Sequence, residues 1–224
     1  EMMCGARITF TYMRIGGVFQ DAPEDFWPAL KAFLGEMSGY VDELDQMLSK
    51  NEILLVRTRG VGIIAPDKAI NASISGPTLR STGVAWDWRK QDTYDIYNQV
   101  EFDVPVGTNG DNYDRYWVRL QEMRQSLRII AQCTEQIPTG PVRLDLPFVV
   151  TPPAGEAYGR VESPKGELGF YLISDGTIAP YRCKIRSPSL INLTILRELV
   201  IGGTVADMVA TFGSIDINMG EVDR

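Results

Sequence analysis

The sequence predicts an α+β protein, mainly a bundle of long helices with a small antiparallel sheet. Two long segments, at 26–47 and 116–137, repeat apolar residues in alternating steps of four and three. Short alternating runs near 158–188 include a dipeptide typical of hairpin turns. The 224 residues, of which 44% are hydrophobic, suffice for one substantial core. The simplest organisation is a single domain, 1–224, with the sheet inserted near 158–188.

The longest predicted helix begins after Asp111 and runs for about 25 residues, or roughly 37 Å. Asp111 is a candidate N-cap, with Asp114 three positions later in a capping-box arrangement. Pro138 and Gly140 are expected to end the helix. Because the apolar stripe faces one side, we interpret it as bundle core. Its residues are Tyr116, Leu120, Met123, Leu127, Ile130, Thr134 and Ile137.

A second long helix is predicted to begin at the segment 21–24, where Pro23 suits a first turn. Its matching period makes it a partner of the first helix in a bundle. Gly35 and Gly39 either cost about 1 kcal/mol each relative to alanine or let a neighbouring helix approach closely. The apolar positions are Phe26, Leu30, Phe33, Met37, Tyr40, Leu44 and Met47.

The remaining predicted elements are short. The Gly/Ser loop at 75–83 has the composition of a phosphate cradle but neither phosphate-binding glycine motif, so we interpret it as structural. Before the longest helix, the pattern predicts β-like runs at 53–56 and 61–64 and a helix from Pro66. After it, the pattern predicts a proline-rich connector at 138–155 and strands at 158–162, 169–173 and 181–186, with a turn at Asp175-Gly176. Two further helices are predicted near 190–200 and 205–211.

Charge and hydropathy exclude several function classes. The net charge of −7 argues against nucleic acid as a partner and against a polybasic membrane-surface patch. No apolar run approaches the roughly 20 residues needed to cross a bilayer, so no direct membrane span is expected. The chain shows no signal peptide and no initiator methionine, and we expect a fragment or a processed product.

The chain contains no histidine and only three cysteines. Histidine-dependent nucleophilic catalysis and histidine-ligated metal sites are therefore excluded. The cysteines, far apart in the sequence, indicate free thiols in a reducing compartment. Any proton chemistry near neutrality requires a perturbed carboxylate, tyrosine, lysine or cysteine. The sequence thus argues against a self-sufficient enzyme.

Seven blocks of the sequence match one known family in order. They are GARITFTYMRIGGV (5–18), SGPTLRSTGVAWDWRK (75–90), FDVPVGTNGDNYDRY (102–116), EMRQSLRIIAQC (122–133), ESPKGELGFYLISDG (162–176), PYRCKIRSP (180–188) and GSIDINMGEVDR (213–224). Together they resemble the C-terminal portion of the hydrogenase-like quinone-site subunit of respiratory complex I, the proton-pumping NADH:quinone oxidoreductase. The resemblance implies a fold similar to the large subunit of [NiFe]-hydrogenases.

The hydrogenase ligand set is missing from this chain. The element at 162–166 is shared with hydrogenases, but Asn218 and Glu221 stand where a hydrogenase has thiolates. A nickel–iron site requires soft thiolates, so a hydrogenase activity and a metal on this chain are excluded. The resemblance implies instead a vestigial cavity that receives a quinone head group.

The family's mechanism implies partners for this chain. Electrons from NADH reach a terminal [4Fe–4S] cluster on a neighbouring small subunit, and a quinone bound between the subunits accepts them. This chain, binding no cofactor, would supply pocket walls and polar contacts. The implied location is the peripheral arm, at the inner face of a bacterial or organellar energy-transducing membrane, next to the membrane arm.

The resemblance also assigns site residues. Asp216 and Asn218 are expected in the quinone pocket, and Thr9 takes the place of a histidine beside the cluster. Supporting residues are Glu162, Arg182, Lys184 and Arg186. Without the family, Asp216 is an N-cap or pairs with an arginine such as Arg182, and the charged strand face is solvated or an interface.

Two further departures from the family leave alternatives open. The family's quinone-reducing tyrosine and histidine precede the matching blocks, and the connector at 138–155 is shorter than usual. The chain is therefore expected to need the N-terminal part of the same subunit to close the pocket. The alternatives are a non-catalytic assembly or scaffold paralogue, and a hydrogenase-like subunit of a related membrane-bound complex with another electron donor.

Overall fold

The computed structural model describes residues 1–7, 11–147 and 149–223. In these residues two short strands, six helices, three strands and four helices follow one another along the chain. The helices are α1 (Phe26–Leu48), α2 (Glu52–Thr58), α3 (Pro66–Asn71), α4 (Gly76–Arg80), α5 (Trp88–Gln91), α6 (Asn112–Gln136), α7 (Pro188–Leu193), α8 (Leu196–Val200), α9 (Val205–Ile215) and α10 (Met219–Asp223). The strands are β1 (Met13–Arg14), β2 (Gly17–Val18), β3 (Gly155–Ser163), β4 (Gly166–Ser174) and β5 (Arg182–Arg186).

The larger sheet is antiparallel, in the order β3-β4-β5. Its register runs from Gly155 opposite Ser174 to Ser163 opposite Gly166, so Pro164 and Lys165 form the tight turn between β3 and β4. The predicted turn at 175–176 instead begins the longer 175–181 connection to β5. The mixed class, with a small antiparallel sheet, is confirmed.

Helix α6 begins where the sequence predicts. The Asp111 Oδ1 atom accepts a hydrogen bond of 2.9 Å from the Asp114 backbone N–H. The Asp114 carboxylate does not complete a capping box, because it accepts the backbone N–H groups of Thr108 (2.7 Å) and Asn109 (2.5 Å). That carboxylate therefore holds the loop before the helix.

The apolar stripe of α6 is only partly buried. Leu120 is 3% exposed, whereas Met123 is 44% and Ile130 is 37% exposed. Helix α1 packs against α6, but the buried apolar cluster lies elsewhere. It consists of Ile64, Ala69, Ile74, Leu79 and Ile195. The interpretation of the whole stripe as core is thus wrong for its second half in this chain.

Three shorter assignments also differ from the structure. The β-like run at 53–56 is part of α2, because the Asn51 side chain accepts the N–H groups of Ile53 and Leu54 and caps a helix. The run at 61–64 is irregular, and the loop at 75–83 contains buried α4. In the part of the chain that the structure describes, no helix is both long and apolar enough to cross a membrane.

Candidate functional site

A cleft of about 630 Å³ lies between α1, α6 and the turn that joins β3 to β4. Its lining contains an apolar set and a charged set of residues, which are called here the apolar side and the charged side. The apolar side is lined by Phe33, Met37, Val41, Met123, Leu127 and Ile130. The charged side includes Arg80, Arg119, Glu122, Glu162 and Asp216. The cleft can therefore accept a molecule that has both an apolar body and polar atoms.

Asp216 lies at the charged side, directly after α9. Its backbone is left-handed, with φ of 59°, a conformation that aspartate tolerates better than most residues. The Oδ2 atom lies 2.5 Å from Lys165 Nζ and 3.4 Å from Arg119 Nε. The side chain is 41% exposed. Asp216 thus caps a helix C-terminus and pairs with Arg119 and Lys165 rather than with Arg182.

Arg119 is held by the carbonyl end of α9. Its Nη1 donates to Ser214 O at 2.7 Å and its Nη2 donates to Ile215 O at 3.0 Å. Such carbonyls carry the negative end of a helix dipole and favour a cation. Burial lowers the pKa of Arg119, and the Asp216 carboxylate opposes that effect. One turn earlier, burial and the charge of Arg119 lower the pKa of Arg115 to about 9.

A buried charge network borders the same cleft. Arg80 is 1% exposed, and its Nη1 lies 2.8 Å from Glu162 Oε1. Its Nη2 lies 2.7 Å from Glu122 Oε1, and Asp87 Oδ2 is 3.6 Å from Nη1. Burial by itself lowers the pKa of Arg80, but the three carboxylates raise it above its ordinary value. Burial and Asp87 raise the pKa of Glu162 despite the contact with Arg80.

Of the predicted site residues, the structure brings Asp216 and Glu162 together on the cleft. Asn218 lies outside the cleft lining. Its Oδ1 accepts the Gly220 N–H at 2.9 Å, and its own N–H donates to Ser189 Oγ at 3.1 Å. Thr9 lies outside the described residues.

The three basic residues of β5 also lie away from the cleft lining. Arg182 and Lys184 are exposed. Arg186 donates from Nη1 to Glu167 O at 2.6 Å and from Nη2 to Ser73 O at 2.8 Å. Arg186 therefore ties the sheet to the loop after α3.

Sequence analysis missed five residues of the charged side and its network: Arg80, Asp87, Arg119, Glu122 and Lys165. Lys165 lies within the matched block at 162–176, three residues after Glu162. Arg119 and Glu122 are three residues apart on α6, a spacing that places both on one helix face. Neither the matched block that contains Lys165 nor the spacing of Arg119 and Glu122 indicates which distant side chains these residues contact.

Comparison with known proteins gives a consistent result. The family model described as "Respiratory-chain NADH dehydrogenase, 49 Kd subunit" matches residues 1–153 and 148–224. The chain is 54% identical over 224 residues to an NADH-quinone oxidoreductase subunit from Dehalococcoides mccartyi, covering all of this chain and 61% of that protein. The proteins of the same name from Desulforamulus reducens and Bacillus mycoides are 48% and 47% identical, covering 100% and 99% of this chain and 61% of each relative. The chain thus spans about three-fifths of the length of these relatives.

Proposed function

Because the chain belongs to the family of the 49 kDa subunit of respiratory-chain NADH dehydrogenase, we propose that it forms one wall of a quinone-binding cleft in an NADH:quinone oxidoreductase. The family shares the hydrogenase-like fold. In this proposal the chain binds and orients the quinone head group, and Asp216 lies at the polar end of the cleft.

The two-sided character of the cleft is the observation that carries this proposal. A quinone has a flat apolar ring, an apolar tail and two carbonyl oxygens. The apolar side formed by α1 and α6 fits the ring and the beginning of the tail. Lys165 and Arg119, held beside Asp216, are cations that can stabilise negative charge developing on a quinone oxygen.

Asp216 has a second part in the proposal, because it keeps the two cations together before the quinone is reduced. Lys165 belongs to the β3–β4 turn and Arg119 to α6, and the Asp216 carboxylate is an anion that both cations contact. Reduction of the quinone to the quinol takes two electrons and two protons.

The redox group is proposed to lie on a neighbouring subunit. Cys4, Cys133 and Cys183 are free thiols, and a [4Fe–4S] cluster is held by four cysteine thiolates. The donor set of this chain therefore does not fit the cluster. In this proposal residues of this chain hold the acceptor, and a [4Fe–4S] cluster on the partner would supply the electrons.

Further subunits complete the proposed assembly. The chain spans about three-fifths of its relatives, and the proposal assigns the rest of the pocket to the N-terminal part of the same subunit and to the cluster-bearing small subunit. The assembly would lie in the peripheral arm of the membrane complex, next to the membrane arm. The apolar side chains exposed along α1 and α6 are consistent with such neighbours.

Replacement of Asp216 tests the proposal. Asp216→Asn keeps the shape of the side chain but removes the charge that holds Lys165 and Arg119. In the assembled complex we expect NADH:quinone reduction to fall about tenfold or more. Reduction of ferricyanide by NADH, which takes electrons before the quinone site, should stay unchanged.

Asp175→Asn is the matched control, because Asp175 is exposed in the loop between β4 and β5. This variant should keep both activities. Full quinone reduction by a correctly assembled Asp216→Asn complex would refute the proposed role.

A further inference from the structure

We infer that Arg80 is a positioning residue that sets how Lys165 and Arg119 are placed around Asp216. The inference rests on the proposed function of the cleft. It concerns a residue that acts through its neighbours and is itself almost fully buried, at 1% exposure.

The first step is the fork formed by the Arg80 guanidinium. Its Nη1 donates to Glu162 Oε1 at 2.8 Å, and its Nε donates to Glu122 Oε1 at 2.7 Å. Glu162 lies at the end of β3, and Glu122 lies on α6. One side chain therefore ties together the two elements that form the charged side of the cleft.

The second step is the spacing along each element. Lys165 follows Glu162 by three residues and lies in the tight turn between β3 and β4. Arg119 precedes Glu122 by three residues on α6, so the two lie on one face of the helix. Each carboxylate that Arg80 binds therefore lies only three residues along the chain from one of the two cations that contact Asp216.

The third step is the anchoring of Arg80 itself. Its Nη1 also donates to Trp86 O at 2.9 Å, and its backbone carbonyl accepts the Gly107 N–H at 2.9 Å. A planar guanidinium can bind two carboxylates in fixed directions at once, whereas the lysine ammonium is a single point charge on a flexible stem. Arginine at this position therefore fixes a distance between α6 and the turn that lysine would leave loose.

The variant Arg80→Lys tests the inference in the assembled complex. We expect kcat/KM for a short-chain quinone to fall about tenfold, with unchanged reduction of ferricyanide by NADH. In an Asp216→Asn background the same replacement should lower kcat/KM by less than about twofold, because Asp216, around which Lys165 and Arg119 are placed, has then lost its charge. Equal losses in the two backgrounds would show a purely structural role and overturn the inference, as would an unchanged kcat/KM.

Arg124→Lys is the matched control. Arg124 forms a comparable fork on α6, with its Nη2 atom 2.9 Å from Asp42 Oδ1 and 2.8 Å from Asp45 Oδ2. Both of those carboxylates belong to α1. We expect Arg124→Lys to leave kcat/KM unchanged in either background.

A second variant keeps the inference testable if Arg80→Lys prevents assembly. Glu122→Gln releases only the α6 arm of the fork, and we expect a loss of about threefold in kcat/KM that disappears in the Asp216→Asn background. An equal loss in both backgrounds would again overturn the inference. If Asp216→Asn alone had no effect, the proposed function would fail first, so the two failures are distinguishable.

Discussion

The pKa of Glu162 depends on the sharing of one guanidinium, that of Arg80, among several carboxylates. Arg80 lies 2.8 Å from Glu162 but also contacts Glu122 and Asp87. Burial and the Asp87 charge therefore outweigh the attraction of Arg80, and the pKa of Glu162 is raised above its ordinary value of 4.5. The folded protein consequently binds a proton at Glu162 more tightly than the unfolded chain does.

The raised pKa of Glu162 predicts a pH-dependent difference in stability between the protein and its Glu162→Gln variant. The stabilisation from Glu162 is complete below the unfolded pKa and is lost as pH rises through the folded pKa. The free energy of unfolding of the protein, relative to the variant, should therefore fall as pH increases from about 4.5. Each unit between the two pKa values corresponds to about 1.4 kcal/mol.

Urea unfolding of both proteins between about pH 4 and pH 7.5 measures this difference. The Asp175→Asn variant is a reference of opposite sign, because hydrogen bonds from the Thr177 hydroxyl and backbone N–H lower the pKa of the exposed Asp175 carboxyl. If the free energies of unfolding of the protein and of the Glu162→Gln variant changed with pH in parallel, the prediction would be contradicted.

At the level of single residues, the sequence identified Asp216 and Glu162 because both lie in blocks shared with the family. Arg80 was not identified, since its partners Glu122 and Glu162 are 42 and 82 positions away in the chain. A contact over that separation depends on the packing of α4 against α6 and the sheet. No local pattern around Arg80 encodes this packing.

Among the elements, α4 is placed by a very close approach between two backbones. Gly76, at its first position, has φ of +68°, and an added Cβ would lie 2.5 Å from Gly166 Cα and 2.7 Å from Lys165 O. The β3–β4 turn therefore fits against α4 only because Gly76 has no side chain. Any displacement here would also move Lys165 relative to Asp216.

Gly76→Ala is predicted to lower the free energy of unfolding by about 2–4 kcal/mol, from the positive φ and the contact with backbone atoms. Gly39→Ala in α1 is the matched control, because among the described residues no atom outside α1 and its backbone lies within 4 Å of the added Cβ. The free energy of unfolding of the Gly39→Ala variant should be about 0.5–1 kcal/mol higher than that of the parent protein, because alanine favours a helix more than glycine does. Urea unfolding distinguishes the two, and equal stability of the Gly76→Ala variant and the parent protein would contradict the close-approach argument.

Element prediction from sequence worked where one local signal dominated and did not work where two signals competed. The cap at Asp111 and the long period of α6 had no competing pattern. The apolar run at 53–56 matched a strand, but the side chain of Asn51 supplies two capping hydrogen bonds and favours a helix. Asp175-Gly176 has the composition of a tight turn, yet strand register assigns that turn to Pro164 and Lys165.

For the molecule as a whole, the apolar surface of the two long helices continues beyond the cleft. Exposed residues recur at intervals of seven on each helix, a spacing typical of a seam that packs against another helix. On α1 they are Phe33, Tyr40 and Met47, and on α6 and its C-cap they are Met123, Ile130 and Ile137. Phe33, Met123 and Ile130 line the cleft, whereas Tyr40, Met47 and Ile137 lie outside its lining. Because large exposed apolar surfaces mark interaction sites, we expect the part outside the cleft to be covered in the assembly by the N-terminal part of the same subunit.

The double variant Tyr40→Lys, Met47→Lys tests this expectation. Both side chains are more than half exposed, at 56% and 57%, so their replacement should change the stability of the chain itself by less than about 0.5 kcal/mol. Two charges placed in a helix–helix seam would each lack a partner after burial. We therefore expect the amount of copurifying complex subunits to fall at least about tenfold. The control is the double variant Ser38→Lys, Gln46→Lys, at exposed polar positions of the same helix, which should leave copurification unchanged. Normal assembly of the Tyr40→Lys, Met47→Lys variant would show that this surface remains in contact with water in the complex.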